Sequence, residues 1–360
     1  MTSHSELSFR RYDLPPAPET EQPAHLSGLM WSPLKSGRLI YADRLYVGRD
    51  GIRPSQESAV SDRSLMIIDA RHPDGKLVTQ REKARLALLE VNVKGNTVQL
   101  TFRADQAAQK LREKLSDHSV QSHTFEVQFA ADDQHPERST MVHTTKDVLG
   151  IDQGDEVAAW LSSIVGQEVR LVFQKPDAPR QRTEQIPDLT EVATILRFQD
   201  SFPLTALSHT TLNIFNQRLA ETHPDWPQFA PIHFRMNLLI AGELNEHLAV
   251  GKFLKIGEVY FYVYRPKERC PMPAVDPDAG VMRGEVGFSG RYLTVLKELH
   301  PELGITADIP EELRVRRLGK AEKERLEPKP LLGVDMIPVN EGYLDVNAPI
   351  EVLDQLPADL

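Results

Sequence analysis

Apolar and polar positions alternate along much of the chain, the period of strands half-buried against a core. The clearest case runs from Leu88 to Val93 and returns from Thr97 to Phe102, with Lys94-Gly95-Asn96 between as a turn. Ser64–Asp69 reads as another strand, His72-Pro73-Asp74-Gly75 as its turn, and Lys76–Gln80 as the returning partner. Further strands are expected at Val169–Phe173, Asn237–Ala241, Glu258–Tyr264, Val334–Val339 and Ile350–Leu353. Helical spacing is rarer. Val157, Trp160, Leu161, Ile164 and Val165 share one face of a helix over Asp155–Val165, and Gly166 suits its C-terminal cap. Ser208 is placed to cap a helix reaching Leu219, with Leu212, Phe215 and Leu219 inward. Short helical stretches are also expected at Asp105–Leu115 and Pro310–Leu326.

Many short strands, few helices and frequent Gly and Pro turns predict a mixed, mostly β fold built from β-barrels with decorating helices. Residues 1–24 are polar and carry Pro15, Pro16, Pro18 and Pro23, the texture of a loose arm. Behind it, 25–145 is expected to form an N-terminal domain and 146–360 a second one. No internal repeat is present.

Composition narrows the functional classes. At 360 residues with 40% hydrophobic content the chain has length enough for two domains without staples. Its 42 Lys plus Arg against 52 Asp plus Glu give a net charge of −10, which argues against a nucleic-acid or anionic-membrane binder but permits a local basic pocket. A single cysteine excludes a disulfide framework, a structural zinc cluster and a cysteine-ligated iron–sulfur centre, though not one metal–thiolate bond. No run reaches the roughly 18 apolar residues of a membrane helix. Arg10-Arg11 is followed by Tyr12, Asp13 and prolines, not by the apolar core of a signal peptide. The expected address is the cytoplasm, with no membrane and no nucleic-acid partner.

Two motif readings fall away. Gly284, Gly287 and Gly290 are closely spaced, but no Gly-Lys-Ser or Gly-Lys-Thr follows, so a phosphate loop is not indicated. The 12 histidines are scattered, without His-Glu-x-x-His or a paired helical spacing. Cys270 stands out instead. Arg265, Lys267 and Arg269 precede it and Pro271 and Pro273 follow, a cationic loop that favours the anionic sulfur able to bind metals or attack electrophiles. Against this stands the common alternative, a lone Cys as a small buried hydrophobe.

The segment from Arg269-Cys270 through Val275-Asp276-Pro277-Asp278-Ala279-Gly280 resembles the signature of the MOSC-domain family, Arg-Cys followed after four residues by Val-Asp-Pro-x-x-Gly. The resemblance extends in order along the chain. Trp31-Ser32-Pro33-Leu34-Lys35-Ser36 is similar to the family's opening, and Asp62-Arg63 with Thr79-Gln80-Arg81-Glu82 to its N-terminal barrel. Trp160-Leu161-Ser162 and Arg170-Leu171-Val172 fit the connecting region. Phe198-Gln199-Asp200-Ser201-Phe202-Pro203, Phe234-Arg235-Met236-Asn237 and Pro330-Leu331-Leu332-Gly333 complete the set.

The resemblance implies two MOSC-type barrels and a pterin-based molybdenum cofactor whose metal takes one protein thiolate, Cys270; a soft sulfur ligand suits that metal. It further implies that Lys35, Ser36 and Arg63 hold the cofactor's phosphate, and that Arg235 and Asn237 hold the polar pterin edge. Arg269 would contact the cofactor beside its ligand, and Asp200 would serve as proton donor. The activity implied is that of an oxidoreductase acting on N-hydroxylated or related N–O substrates. Its electrons would come from a separate donor protein or reductase, and the chain itself is expected to be a monomer. The alternative is a sulfur carrier or cofactor-handling protein in which Cys270 forms a persulfide, and a third is a silent scaffold. The chain departs from the amidoxime reducers at Pro273 and Ala274, where two threonines are usual, and at Asp335, which aligns with a tyrosine. All three changes are expected to bear on the substrate.

Overall fold

The computed structural model describes residues 22–104, 107, 121–283, 288–299, 329–358 and 360. The helices expected at 105–115 and 310–326, and the arm before residue 22, lie outside these residues. The largest sheet contains eight strands. In spatial order they are Ile350–Leu353, Phe253–Ile256, Val259–Glu268, Leu331–Pro338, Leu204–Ser208, Leu238–Ala241, His25–Trp31 and Ile40–Ala42. All neighbours pair antiparallel except Leu204–Ser208 with Leu238–Ala241, which run parallel. That one parallel pair needs a crossover, and the helix His209–Thr222 supplies it.

The two ends of this sheet are drawn together. Leu26 donates to Ala348 at 2.9 Å, Asn347 to Leu26 at 2.7 Å and Ile350 to Ala24 at 2.9 Å. The curl encloses one apolar cluster, in which Leu29, Trp31, Leu204, Ile240, Phe261, Val334 and Met336 are all buried. It approaches a barrel through these few backbone bonds, short of a full ladder. The mixed, mostly β class expected from the sequence is what forms.

A second core lies under the five-stranded sheet of Glu137–Val142, Thr145–Asp152, Val169–Gln174, Leu65–Asp69 and Leu34–Lys35, and the three-stranded meander Leu89–Lys94, Thr97–Phe102 and Gln121–Glu126. The predicted Leu88–Phe102 hairpin is present with Leu89 opposite Phe102 and Lys94 opposite Thr97. The helix Asp155–Val165 covers this core, and Gly166 ends it at φ +73°, the left-handed position glycine adopts without cost. The division expected near residue 145 falls inside a hairpin, because Thr145 opens a strand paired with Glu137–Val142. The halves are also interleaved: His25–Trp31 and Ile40–Ala42 lie in the sheet built mainly from the C-terminal half.

The return strand expected at Lys76–Gln80 is a correction. Only Lys76 and Leu77 form bridges, to Met141 and Ile68. Beyond them the chain turns so that the buried Gln80 amide donates to Ser36 O at 2.8 Å, tying this segment to the loop that follows Leu34–Lys35. Among the described residues no helix is long and apolar enough to cross a membrane.

Candidate functional site

Lys35, Ser36, Arg63, Asp200, Arg235, Asn237, Arg269 and Cys270 all line one cavity of about 280 Å³. Residues separated by more than two hundred positions meet there because each sits at a strand end or in a turn next to a strand or a short helix: Arg63 before Leu65–Asp69, Arg235 as the cap of the helix Pro231–Phe234, Asn237 before Leu238–Ala241. Cys270 comes two residues after the strand Val259–Glu268, and its carbonyl accepts from the Tyr292 hydroxyl. Arg269 is tied beside it by its backbone N–H to Pro330 O at 2.8 Å.

Backbone strain concentrates here. Seven non-glycine residues of the described chain have positive φ, and four of them line the cavity: Ser36 at +65°, Arg63 at +56°, His143 at +54° and Arg235 at +55°. A left-handed side-chain-bearing residue costs about 1–2 kcal/mol, so a group of four is held by surrounding bonds. Those bonds are present. Arg63 donates its N–H to Ser32 O at 2.7 Å and its guanidinium to Arg235 O at 3.0 Å, while Arg235 reaches Gly37 O at 2.7 Å. The loop 35–37, the turn 62–63 and residue 235 therefore form one braced wall.

At the centre of that wall is Asp62, fully buried. It accepts from Ser32 N at 2.8 Å, from the Arg63 guanidinium, and from Asn237 Nδ2 at 3.2 Å. Asn237 lines the cavity and is bonded within the fold on both sides of its amide. Its amide also donates to Met30 O at 3.2 Å and accepts from Thr205 Oγ1 at 3.1 Å, so its donor and acceptor both serve the fold. It orients Asp62 at the cavity wall.

Asp200 is placed by its neighbour. Gln199 is buried and clamps Asp50 O and Asp62 O at 3.0 and 2.9 Å, leaving Asp200 at the mouth with its side chain 52% exposed. The Asp200 carboxylate accepts from the buried Lys35 ammonium and from His143 Nε2 at 2.6 Å. Desolvation pushes its carboxyl up, but the charges of Lys35, His143 and Lys267 outweigh this and hold it well below the ordinary carboxylate range. Asp200 is thus held as an ionised acceptor between Lys35 and His143. Lys35 is shifted down by burial, a loss its pairing with Asp200 partly offsets.

The cavity is strongly cationic. Seven Lys and Arg side chains line it against the carboxylates of Asp200, Glu268 and Asp335, in a protein whose net charge is −10. Arg269 adds the sharpest imbalance. It is more than nine-tenths buried, lies over the Phe234 ring at 5.2 Å and donates to Phe234 O at 2.6 Å. No carboxylate pairs with it among the described residues, and its buried Nε has no partner. Burial lowers its affinity for the proton, the cost expected of a guanidinium that awaits an anion.

Of the three departures flagged in the sequence, Asp335 belongs to the cavity, where it is buried and binds Arg265 Nε at 2.9 Å and Lys267 Nζ at 2.7 Å. Ala274 is instead fully buried in the apolar cluster with Phe215, Tyr292 and Leu296, and neither it nor Pro273 lines the cavity. Their expected influence on the substrate has no support in the geometry. His143 escaped sequence reading because it stands alone in a hairpin turn; only the fold brings it to Asp200.

Residues 23–168 match the MOSC N-terminal beta barrel domain, and residues 194–316 match the MOSC domain. The chain belongs to the MOSC-domain family. This MOSC protein is similar to mitochondrial amidoxime-reducing component 1 of Homo sapiens, at 25% identity over 299 residues, covering 82% of this chain and 73% of that one. It is also similar to molybdenum cofactor sulfurase of Drosophila melanogaster, at 28% identity over 261 residues, 67% of this chain but 29% of the relative. Among solved structures, the YuaD protein of Bacillus subtilis aligns over 93% of this chain and 98% of its own at 11% identity, with a TM-score of 0.34.

The residues present suit the anionic, metal-bearing cofactor that the MOSC domain implies. The orphaned Arg269 Nε and the excess of cations fit its negative charge. Among the described residues no three His, Cys, Asp or Glu side chains converge as a metal cage, so Cys270 would be a single protein ligand to a metal carried by the cofactor.

Proposed function

We propose that this MOSC protein is a molybdenum-cofactor-dependent oxidoreductase that removes the oxygen of N-hydroxylated compounds. The net change converts N–OH, two electrons and two protons into N–H and water, with the electrons delivered by a separate donor protein or reductase. When bound, the cofactor supplies the two-electron chemistry. Lys35, Ser36, Arg63 and Arg235 hold its phosphate and pterin, Arg269 neutralises further negative charge, and Cys270 is the thiolate ligand. The single observation carrying this reading is a half-buried lone thiol beside a buried guanidinium that no carboxylate among the described residues pairs with, in a basic cavity of an acidic protein. A sulfur carrier needs an accessible thiol but no such collection of anion-binding groups.

Protein made in a host that synthesises the cofactor is expected to carry near-stoichiometric molybdenum and a fluorescent pterin. It should also reduce benzamidoxime when supplied with an artificial low-potential donor. Well-folded protein without molybdenum would remove the reading. Molybdenum without N–O reduction, together with a persulfide on Cys270 by mass spectrometry, would replace it with the sulfur-carrier alternative.

A further inference from the structure

The cavity has a second cationic wall, built differently from the first. The strands Val259–Glu268 and Leu331–Pro338 pair so that Arg265 lies opposite Asp335, and irregular register on either side brings Lys267 to the same carboxylate. Asp335 is 1% exposed, whereas the Arg265 and Lys267 side chains are 27% and 18% exposed. One buried anion thus fixes two partly solvated cations and leaves a net positive charge.

The pair has donors to spare. Asp335 takes only Nε of Arg265, and the two terminal nitrogens have no hydrogen-bond partner among the described residues. The Arg265 guanidinium lies over the buried Phe202 ring at 5.0 Å, which sets the orientation of its fork. On the braced wall, by contrast, Lys35 and Arg63 are only 7% and 13% exposed and each is engaged with its own carboxylate. No bond joins the two walls' cations among the described residues. The outer pair leads directly along the chain to Cys270.

We propose that Arg265 and Lys267, positioned by Asp335, form a carboxylate-binding subsite at the cavity mouth that selects substrates carrying an anionic group beside the reducible N–O bond. This rests on the N–O reductase reading for the identity of the reaction, but not for the existence of the anion subsite. A planar carboxylate matches the open fork of Arg265 through two parallel N–H bonds, and Lys267 adds a point charge. Asp335 is a positioning residue: it touches the cations and not the substrate.

The test compares benzamidoxime with its para-carboxylate on the molybdenum-loaded protein, and measures benzoate binding by calorimetry. Wild type is expected to favour the carboxylate in kcat/KM by about tenfold or more, the scale of one charge-assisted hydrogen bond. Arg265→Met keeps Lys267 as the partner of Asp335, so no buried charge is orphaned. In it, the preference should fall towards unity through KM for the carboxylate substrate, with unchanged pterin and molybdenum content. The triple substitution Arg265→Met, Lys267→Met, Asp335→Asn should abolish the preference and the benzoate binding. Equal kcat/KM for the two substrates in wild type would overturn the subsite while leaving the reductase reading intact. Loss of pterin in Arg265→Met would overturn it by assigning these cations to the cofactor. If neither substrate is reduced, benzoate binding that disappears in Arg265→Met supports the subsite alone, and absence of binding to wild type overturns it.

Discussion

His143 Nε2 stands 2.6 Å from Asp200 Oδ1, the same oxygen that the Lys35 ammonium contacts. Two partners on one carboxylate oxygen favour the ionised form of Asp200. His143 is 37% exposed and lines the cavity, so its ring is open both to solvent and to a bound substrate.

The first prediction follows from that arrangement. His143→Gln preserves a hydrogen-bond donor to Asp200 but cannot release and regain a proton at neutral pH. It should lower kcat for N–O reduction by about a hundredfold, at the modest end of general acid catalysis, with KM and pterin content little changed. Stopped-flow and steady-state rates on the loaded protein decide this. A full rate in His143→Gln would assign the proton to another group.

Glu246, which does not line the cavity, supports a prediction about stability. It is fully buried, accepts from Thr211 Oγ1 at 2.6 Å, and its second oxygen has no hydrogen-bond partner among the described residues. Burial pushes its carboxyl up to about 7, against the opposing hydrogen bonds of Ser208 and Thr211. The folded state therefore favours the neutral acid. Its contribution is fully present below about 4.5 and is lost as pH rises through about 7. Glu246→Gln mimics the neutral form, so its stability relative to wild type should improve by about 3 kcal/mol between pH 4.5 and 9. Urea unfolding at both pH values measures the difference, and parallel pH profiles would contradict it.

Why some of this was legible in the sequence and some was not has a physical basis. Local signals survive folding: the alternation either side of Lys94-Gly95-Asn96, the Ser208 cap that accepts from Thr211 N, and Gly166 all act within a few residues. Cys270 stood out by its cationic neighbours, the other seven candidate residues were legible only because the motifs recur in family order, and all eight reach one cavity. Interactions between distant segments were invisible. Nothing near Asn237 announces that its amide is occupied by Asp62, Met30 and Thr205, and nothing near Asp335 announces its two cations. The pairing of Glu137–Val142 with Thr145–Asp152 across the expected break was invisible for the same reason, since strand pairing ignores composition at one turn.

The phosphate grip gives a third prediction. Lys35→Ala or Arg63→Ala should each weaken cofactor retention by roughly 1.5–3 kcal/mol, about tenfold to a hundredfold in affinity. Arg63→Ala also strips a charged partner from the buried Asp62, so its melting temperature should fall further than that of Lys35→Ala, whose partner Asp200 is half exposed. Pterin fluorescence after dialysis and thermal melts separate the two effects. Unchanged pterin in the double substitution would remove these residues from the grip.

The last prediction separates ligand from bystander at Cys270. Cys270→Ser replaces a soft sulfur by a hard oxygen at nearly constant volume, so the metal's electronic signature should change and N–O reduction should be lost. Much of the pterin should remain, because Lys35, Arg63, Arg235 and Arg269 stand on segments held independently of the thiol. Folding should also be little affected. Cys270 is only partly buried, and the Tyr292 hydrogen bond goes to its backbone carbonyl, which the substitution retains. A bystander thiol gives the opposite pattern, full reduction with an unaltered metal spectrum. The electron paramagnetic resonance spectrum and the turnover of one variant therefore decide the matter, and retention of both in Cys270→Ser would end the assignment of Cys270 as ligand.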